Sequence, residues 1–233
     1  MKDYIISDQL TMFGHRVVVG FGSSEFYVRE IDRNVANAVI IKNHYSKKYY
    51  NGSYIHLGVY INDVMVGVLQ FGYAMNPASG SSVVKNTPND GYLELNRMWL
   101  DDAAPRNSES MALSYAIKYI RRVYPAVHWI QSFADERCGG FGIVYQSANF
   151  EYYGEHTSVF WLLDDVVYHN VIMTDGRDTS KNTLYLRANK DRATAMELRQ
   201  FRYIYWINQR RKRDVLLKQC PYPKHYADVK ESV

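Results

Sequence analysis

The order of its predicted elements assigns this chain to the α/β (α+β) class, with a mixed central sheet flanked by helices. A helix, a hairpin, a strand, a helix, a strand, a helix and a further strand follow one another between residues 30 and 169. An antiparallel hairpin followed by strand–helix–strand crossovers is typical of such sheets. Hydrophobic residues form 47% and charged residues 22% of the 233 positions, which suffices for one sizeable core.

The first third of the chain predicts a strand, a helix and a hairpin. Residues 16–20 are rich in valine and favour a short strand, and residues 30–43 repeat apolar side chains at helical spacing. Two alternating β-branched runs, 55–61 and 64–74, flank the turn dipeptide Asn62-Asp63. This combination predicts a β-hairpin.

The block from Glu94 to Phe150 contains the candidate cofactor site. A strand over 92–100 leads through a polar loop into an amphipathic helix over 108–122, and a strand and a glycine-led helix follow. Helix N-termini beside strand ends bind anions. We therefore expect Arg106 and Ser108, at the start of this helix, to contact an anionic cofactor, although a helix cap alone explains the serine.

Two reactive side chains follow in the same block. Asp135 ends the strand that precedes the glycine pair and is a candidate general base or metal ligand, with a helix cap as the alternative. Tyr145 lies two turns into the next helix. Its hydroxyl is placed either to protonate a leaving group or simply to pack.

The last part of the chain is strongly basic. Residues 181–233 contain 13 lysine and arginine residues against 5 aspartate and glutamate, a net charge of +8. We expect them to form a helical extension packed on a catalytic domain of residues 1–180. Cations beside aromatic rings suit phosphates and exposed bases, and the alternative is a helix that closes the core. The predicted nucleic-acid contacts are Arg202, Arg210, Arg211 and Arg213.

Cysteine usage and hydropathy indicate a cytoplasmic protein. Cys138 and Cys220 are the two cysteines, which gives no disulfide framework. The first residues lack the pattern of a signal peptide, and no apolar run approaches the roughly 20 residues that cross a bilayer. We expect no membrane partner.

From about residue 30 to 165 the element order resembles the GCN5-related N-acetyltransferase superfamily, with YQSANFEYYGEH similar to its last helix and strand. This resemblance implies acetyl coenzyme A as acyl donor. The superfamily's pyrophosphate loop carries glycines, however, whereas residues 106–112 contain none, and Glu109 would repel a pyrophosphate. An aminoacyl donor, such as a tRNA charged with glycine, fits this loop as well.

A narrower resemblance covers nearly the whole chain. His44-Tyr45-Ser46, Glu94-Leu95-Asn96-Arg97, Ser108-Glu109-Ser110, Asp135-Glu136 and the C-terminal RYIYW and PYPK resemble the bacteriophage Mom family. The resemblance implies conversion of the exocyclic amine of adenine in double-stranded DNA to a carbamoylmethyl derivative, which protects phage DNA from host restriction. It also implies iron.

The family resemblance assigns roles to particular residues. It implies that His44, Tyr45 and Asp135 hold iron, and histidine with oxygen ligands suits Fe(II) better than structural zinc. It further implies that Arg97 holds a donor carboxylate or phosphate, and that Ser110 and Tyr145 lie near the reacting acyl group.

Two other functions compete with DNA modification. The chain could be an ordinary acetyltransferase that uses acetyl coenzyme A on a small amine or a protein. It could also be a catalytically silent DNA-binding protein on the same scaffold. The missing loop glycines count against the first alternative, and a covalent change in adenine would exclude the second.

A basic aromatic stretch directly follows His44. Lys47, Lys48, Tyr49 and Tyr50 combine charge with rings on which an extruded base can stack. We predict that the Lys47→Ala/Lys48→Ala double variant binds DNA more weakly, because up to two phosphate contacts are lost. The slope of log affinity against log salt should become shallower by about 1 to 2. Titrations at several salt concentrations measure both, and an unchanged slope would remove these lysines from the DNA interface.

Overall fold

The computed structural model describes residues 4–10, 16–170, 173 and 180–224. The strands are β1 Tyr4–Leu10, β2 Arg16–Gly22, β3 Phe26–Glu30, β4 Ser53–Ile61, β5 Val64–Gly72, β6 Tyr92–Leu100, β7 Trp129–Asp135, β8 Glu151–Leu163, β9 Val166–His169 and β10 Thr194–Trp206. The helices are α1 Arg33–Asn43, α2 Gly80–Val83, α3 Ser108–Val123, α4 Ile143–Ser147 and α5 Lys181–Ala188.

The described strands confirm a mixed sheet. They pair in the order β1-β2-β3-β4-β5-β6-β7-β10-β8-β9. Neighbours from β1 to β6 are antiparallel, whereas β6 and β7 are parallel. Helices pack on this sheet, α1 on β4, β5 and β6, and α3 on β2 and β3.

The predicted hairpin is confirmed as β4 and β5. Asn62 and Asp63 form its turn with positive φ angles of 48° and 63°. Two successive left-handed residues define the turn type whose twist matches that of paired strands, and Asn and Asp tolerate this conformation. The predicted helix is confirmed as α1, whose cap Asp32 accepts a hydrogen bond from Asn34 N.

The predicted C-terminal helix is wrong, because residues 194–206 form β10. The first half of this segment, TAMELRQ, is rich in good helix formers. The second half, FRYIYW, is rich in aromatic residues that favour strands, and Phe201, Tyr203, Ile204 and Trp206 are all buried. Tertiary packing of these rings outweighs the local helix propensity.

The chain forms two compact units. The first comprises 1–132, 143–153 and 203–222, and the second comprises 133–142, 154–202 and 223–233. The predicted boundary at residue 180 does not separate them.

Each unit contains its own buried apolar cluster. In the first unit Tyr92 stacks on Trp129 with ring centroids 4.4 Å apart, and Trp206 and Ile204 belong to the same cluster. Burial of such rings contributes a few kcal/mol each, of the order of 2–3. In the second unit Leu163, Tyr168 and Leu186 pack together.

Candidate active site

The segment from His44 to Gly52, here called the site loop, joins α1 to β4 and is fastened to the middle of β6. Arg97 Nε donates to the Lys48 carbonyl oxygen at 2.9 Å, and Arg97 Nη1 donates to the Asn96 carbonyl oxygen at 2.6 Å. The planar guanidinium directs these donors in fixed directions. Arg97 therefore fastens the middle of the loop to the strand.

Asn96 fixes the far end of the site loop. Its Oδ1 accepts from Ser53 Oγ at 2.9 Å, and its Nδ2 donates to the Tyr73 carbonyl oxygen at 3.1 Å. Tyr73 N donates in turn to the Gly52 carbonyl oxygen at 3.0 Å. These bonds tie the end of the loop to β6 and to the end of β5.

Polar side chains collect where the parallel pairing ends. The last pair in register between β6 and β7 is Glu94 and Gln131, and Gln131 Nε2 donates to Glu94 Oε2 at 2.8 Å. Burial raises the pKa of Tyr50, and the Glu94 carboxylate raises it further, while Arg97 opposes them. The Tyr50 hydroxyl is therefore influenced by both charges. Ligands of open sheets bind where parallel strands end, so we take this place as the candidate active site.

A row of polar residues supports the site from β4 and β5. His56, Gln70 and Arg97 are partners in register across β4, β5 and β6. Gln70 Nε2 lies 2.9 Å from Asn37 Oδ1 and 3.1 Å from His56 Nδ1, and Gln70 is fully buried. These contacts hold α1, and hence the start of the site loop, against the sheet.

The residues predicted to hold iron are committed to protein contacts. His44 is buried, and its Nδ1 lies 2.8 Å from Ser46 Oγ and accepts from Ser46 N at 3.1 Å. The neighbouring Tyr45 ring is 4.2 Å away and half exposed. An Nδ1 that accepts an N–H leaves the proton of a neutral ring on Nε2, which then has no lone pair for a metal.

The carboxylate of Asp135, the third predicted iron ligand, is likewise hydrogen-bonded within the protein. Arg137 Nε lies 3.0 Å from both carboxylate oxygens, Arg137 Nη2 lies 2.5 Å from Oδ2, and Arg137 N donates to Oδ1. Across the described ranges, no three His, Cys, Asp or Glu side chains converge on a possible metal position. As arranged here, these residues do not fit an iron ion.

The start of α3, predicted to bind an anionic cofactor, is acidic. Arg106 is exposed, but Asp101, Asp102 and Glu109 are exposed around it, and partial burial together with Asp102 raises the pKa of Glu109. A pyrophosphate there would meet carboxylates as well as helix N–H groups.

The two serines of this helix start differ in their surroundings. Ser110 Oγ donates to the Asn107 carbonyl oxygen at 3.0 Å and closes the first turn. Ser108 is buried, and its hydroxyl has no hydrogen-bond partner in the described part of the chain. The buried Ser108 hydroxyl is thus available to a ligand, as expected of a residue predicted to contact the cofactor.

Tyr145 packs within an aromatic group. Its ring centroid lies 5.7 Å from that of Phe150 and 5.4 Å from that of Tyr203, and it is half-buried. The adjacent Gln146 Nε2 donates to Tyr203 Oη at 3.0 Å. These contacts fix the Tyr145 ring, and its predicted role toward a donor stays a prediction.

The predicted nucleic-acid residues of the site loop divide by exposure. Lys47 and Tyr49 are exposed, whereas Lys48 and Tyr50 are half-buried. Lys47 Nζ donates to the Lys42 carbonyl oxygen at 2.6 Å, and burial lowers the pKa of Lys48.

The four predicted C-terminal arginines divide in the same way. Arg210 and Arg213 are exposed. Arg202 lies over the Phe133 ring at 5.0 Å, and Arg211 donates to the Lys85 carbonyl oxygen and pairs with Asp214 at 2.7 Å. Arg202 and Arg211 therefore have structural roles.

Sequence reasoning missed Gln131, Gln70 and His56. A signal was present, because each interrupts an otherwise apolar strand at an inward position. Buried polar side chains in strands need partners, and such interruptions often mark a site.

The fold and this site together define the class of an α+β protein with a polar crevice at the end of a parallel strand pair. Within that class, the chain belongs to the Mom protein family, whose model matches residues 25–224. The methylcarbamoylase Mom of Escherichia phage Mu is 50% identical over 210 residues, which cover 89% of this chain and 87% of that protein.

Solved structures with a similar fold are acetyltransferases. A ribosomal-protein-S5-alanine acetyltransferase from Vibrio fischeri gives a TM-score of 0.48 at 10% identity and covers 82% of this chain and 98% of its own. A putative acetyltransferase from Salmonella typhimurium, solved with acetyl-CoA, gives 0.47 at 12% identity over 79% and 95%. Among the described residues, no helix is long and apolar enough to span a membrane.

The buried His56 makes stability depend on pH. Burial and the nearby Arg33 lower its pKa from the ordinary value near 6.5. The neutral ring therefore contributes stability above about pH 6.5, and this is lost as pH falls through the lower folded-state pKa. We expect the Tm difference between the wild type and His56→Gln to be largest near pH 7.5 and to shrink toward pH 5. A constant difference in calorimetry would show that His56 keeps its ordinary pKa.

Proposed function

We propose that this protein is a DNA-modifying transferase that converts the exocyclic amine of adenine to a carbamoylmethyl derivative. The observation that carries the proposal is the 50% identity, over 89% of the chain, to a relative named a methylcarbamoylase. In a phage such a change would protect DNA from host restriction enzymes. An ordinary acetyltransferase acting on a small amine or protein is the alternative.

The chemistry requires a base, because the adenine amine is a weak nucleophile. N6 must lose one proton as its new bond to carbon forms and the donor's leaving group departs. Glu94 supports this role, since its carboxylate lies at the end of the β6–β7 pairing and is oriented by Gln131. Asp135, the base predicted from the sequence, is held through both oxygens by Arg137.

Arg97 has the chemistry to hold a donor carboxylate or phosphate, but its Nε and Nη1 are used by backbone carbonyls. It therefore acts first by placing the site loop. The exposed Lys47, Tyr49, Arg210 and Arg213 support contact with double-stranded DNA, through phosphates and through stacking on an extruded base. No step is assigned to iron, because the predicted ligands are engaged elsewhere.

The acidic start of α3 favours a donor that places no pyrophosphate there. Asp101, Asp102 and Glu109 are exposed before and at the start of α3, where the superfamily resemblance would put the pyrophosphate of acetyl coenzyme A. We therefore propose an aminoacyl donor of the glycyl class, such as a charged tRNA, ahead of acetyl coenzyme A. Attack of N6 on the glycyl ester carbonyl would release the tRNA hydroxyl and give N6-glycyladenine. This is an isomer of the carbamoylmethyl product, so an exchange of the two nitrogens between the carbonyl and methylene carbons, without any change in oxidation state, would complete the conversion.

Nucleoside mass spectrometry tests this function and donor together. We expect DNA from bacteria expressing the chain to contain a carbamoylmethyl-deoxyadenosine that becomes heavier with labelled glycine and not with labelled acetate. Glu94→Gln, which keeps shape and hydrogen bonding, should lower the yield at least about 100-fold if the carboxylate is the base. Unmodified adenine with well-expressed folded protein would refute the function, and label from acetate alone would refute the donor.

A further inference from the structure

We propose that Gln131 recognises the exocyclic amine of the target adenine through its side-chain oxygen. The inference rests on the proposed function and deepens it, because it names the group that selects the base. Gln131 Oε1 would accept the N6 hydrogen that the reaction leaves in place, while Gln131 Nε2 holds Glu94.

The orientation of the Gln131 amide follows from its partner. Glu94 Oε2 lies 2.8 Å from Gln131 Nε2, and an ionised carboxylate can only accept hydrogen bonds. The amide nitrogen must therefore face Glu94, and the oxygen points away from it. The chemistry of the pair thus settles an O/N assignment that is otherwise ambiguous.

The side-chain oxygen of Gln131 is buried without a partner. Gln131 is 4% exposed, and no group in the described part of the chain donates to its Oε1. A buried amide oxygen without a hydrogen bond is unfavourable, and such groups in folded proteins call for an explanation. A ligand that brings an N–H to this oxygen would supply one.

The position of Gln131 fits a role in substrate recognition. It is the last β7 residue in register with β6, directly opposite Glu94, and the Glu94 carboxylate also raises the pKa of Tyr50 in the site loop. The half-buried Tyr50 offers a ring on which an extruded base can stack.

The hydrogen-bonding pattern of Gln131 distinguishes adenine from guanine and thymine. Glutamine pairs well with adenine, because its oxygen accepts from the N6 amine. Guanine and thymine present a carbonyl oxygen at the corresponding position, which would face Gln131 Oε1 with repulsion. A site built around a particular substrate N–H rejects analogues that lack it much more strongly than an apolar pocket does.

The opposing explanation is that Gln131 only orients the Glu94 carboxylate through its hydrogen bond and does not contact the substrate. Both explanations predict that its replacement lowers activity, so activity alone does not separate them. They differ in binding, because only direct recognition makes the contribution of the adenine amine depend on Gln131. A double-mutant cycle, in which the Gln131 amide and the adenine amine are removed separately and then together, measures this dependence.

The experiment measures binding of the full-length protein to two short DNA duplexes by fluorescence anisotropy. One contains a single adenine that the wild type modifies, and the other contains purine, which lacks the amine, at that position. We expect the wild type to prefer adenine by about tenfold, as for one buried hydrogen bond. Gln131→Met, nearly equal in shape, should bind both duplexes equally.

Two further variants serve as controls. Ser132→Ala removes another buried and unpartnered side-chain oxygen, from the next residue of β7, whose side chain points to the opposite face of the strand, and it should keep the preference for adenine. Gln131→Asn keeps a side-chain amide, but its shorter side chain moves the oxygen away from the base. It replaces Gln131→Met in the binding experiment if that variant fails to fold, with the same expected loss of the preference for adenine. Thermal melts establish which variants are folded.

The outcomes separate the two claims. If the wild type modifies adenine but a folded Gln131 variant keeps the wild-type preference, recognition by Gln131 is refuted and the proposed function stands. The same holds if the wild type modifies adenine yet binds both duplexes equally. If the wild type modifies no adenine, the proposed function fails and this inference falls with it.

Discussion

The hydrogen bond from Arg97 to the Lys48 carbonyl is the interaction on which the candidate site depends, because it joins the middle of the site loop to the middle of β6. The loop follows α1 directly and carries His44, Tyr45 and the basic aromatic stretch. Arg97 follows Glu94 closely on the same strand, β6. The hydrogen bond from Arg97 to Lys48 therefore determines which residues of the site loop lie near the end of the β6–β7 pairing.

This arrangement requires an unusual number of polar groups inside a sheet. His56, Gln70 and Arg97 form a row across three strands, and Glu94 and Gln131 form a pair at the end of the parallel ladder. Apolar side chains would stabilise these positions more simply, since each buried polar group must recover the hydrogen bonds that it loses from water. Stability alone does not explain them. The proposed group transfer to an amine would explain them, because it needs a carboxylate and oriented donors away from bulk water.

Much of the fold could be predicted from the sequence, because its signals are local. The hairpin has its turn dipeptide, α1 and α3 have helical periodicity, and β6 has the alternation of a strand. The segment 194–206 could not be predicted, because its helix-forming first half and aromatic second half give opposite signals, and long-range packing decides between them. The candidate site was predicted in part. Arg97 was identified by resemblance, whereas its bond to Lys48 joins residues far apart in sequence, and Gln131 gains meaning only when β7 is placed beside Glu94.

The most direct test of this account is hydrogen exchange of the site loop in the Arg97→Met variant, followed by mass spectrometry. Methionine keeps the unbranched aliphatic part of the side chain and removes the guanidinium. If Arg97 holds the loop, amides from His44 to Tyr50 should exchange about 5- to 100-fold faster than in the wild type, as for the loss of one buried charged hydrogen bond. Exchange in β4 and β5 should be unchanged. Equal protection of the loop in both proteins would contradict the account, because the loop would then be positioned by something other than Arg97.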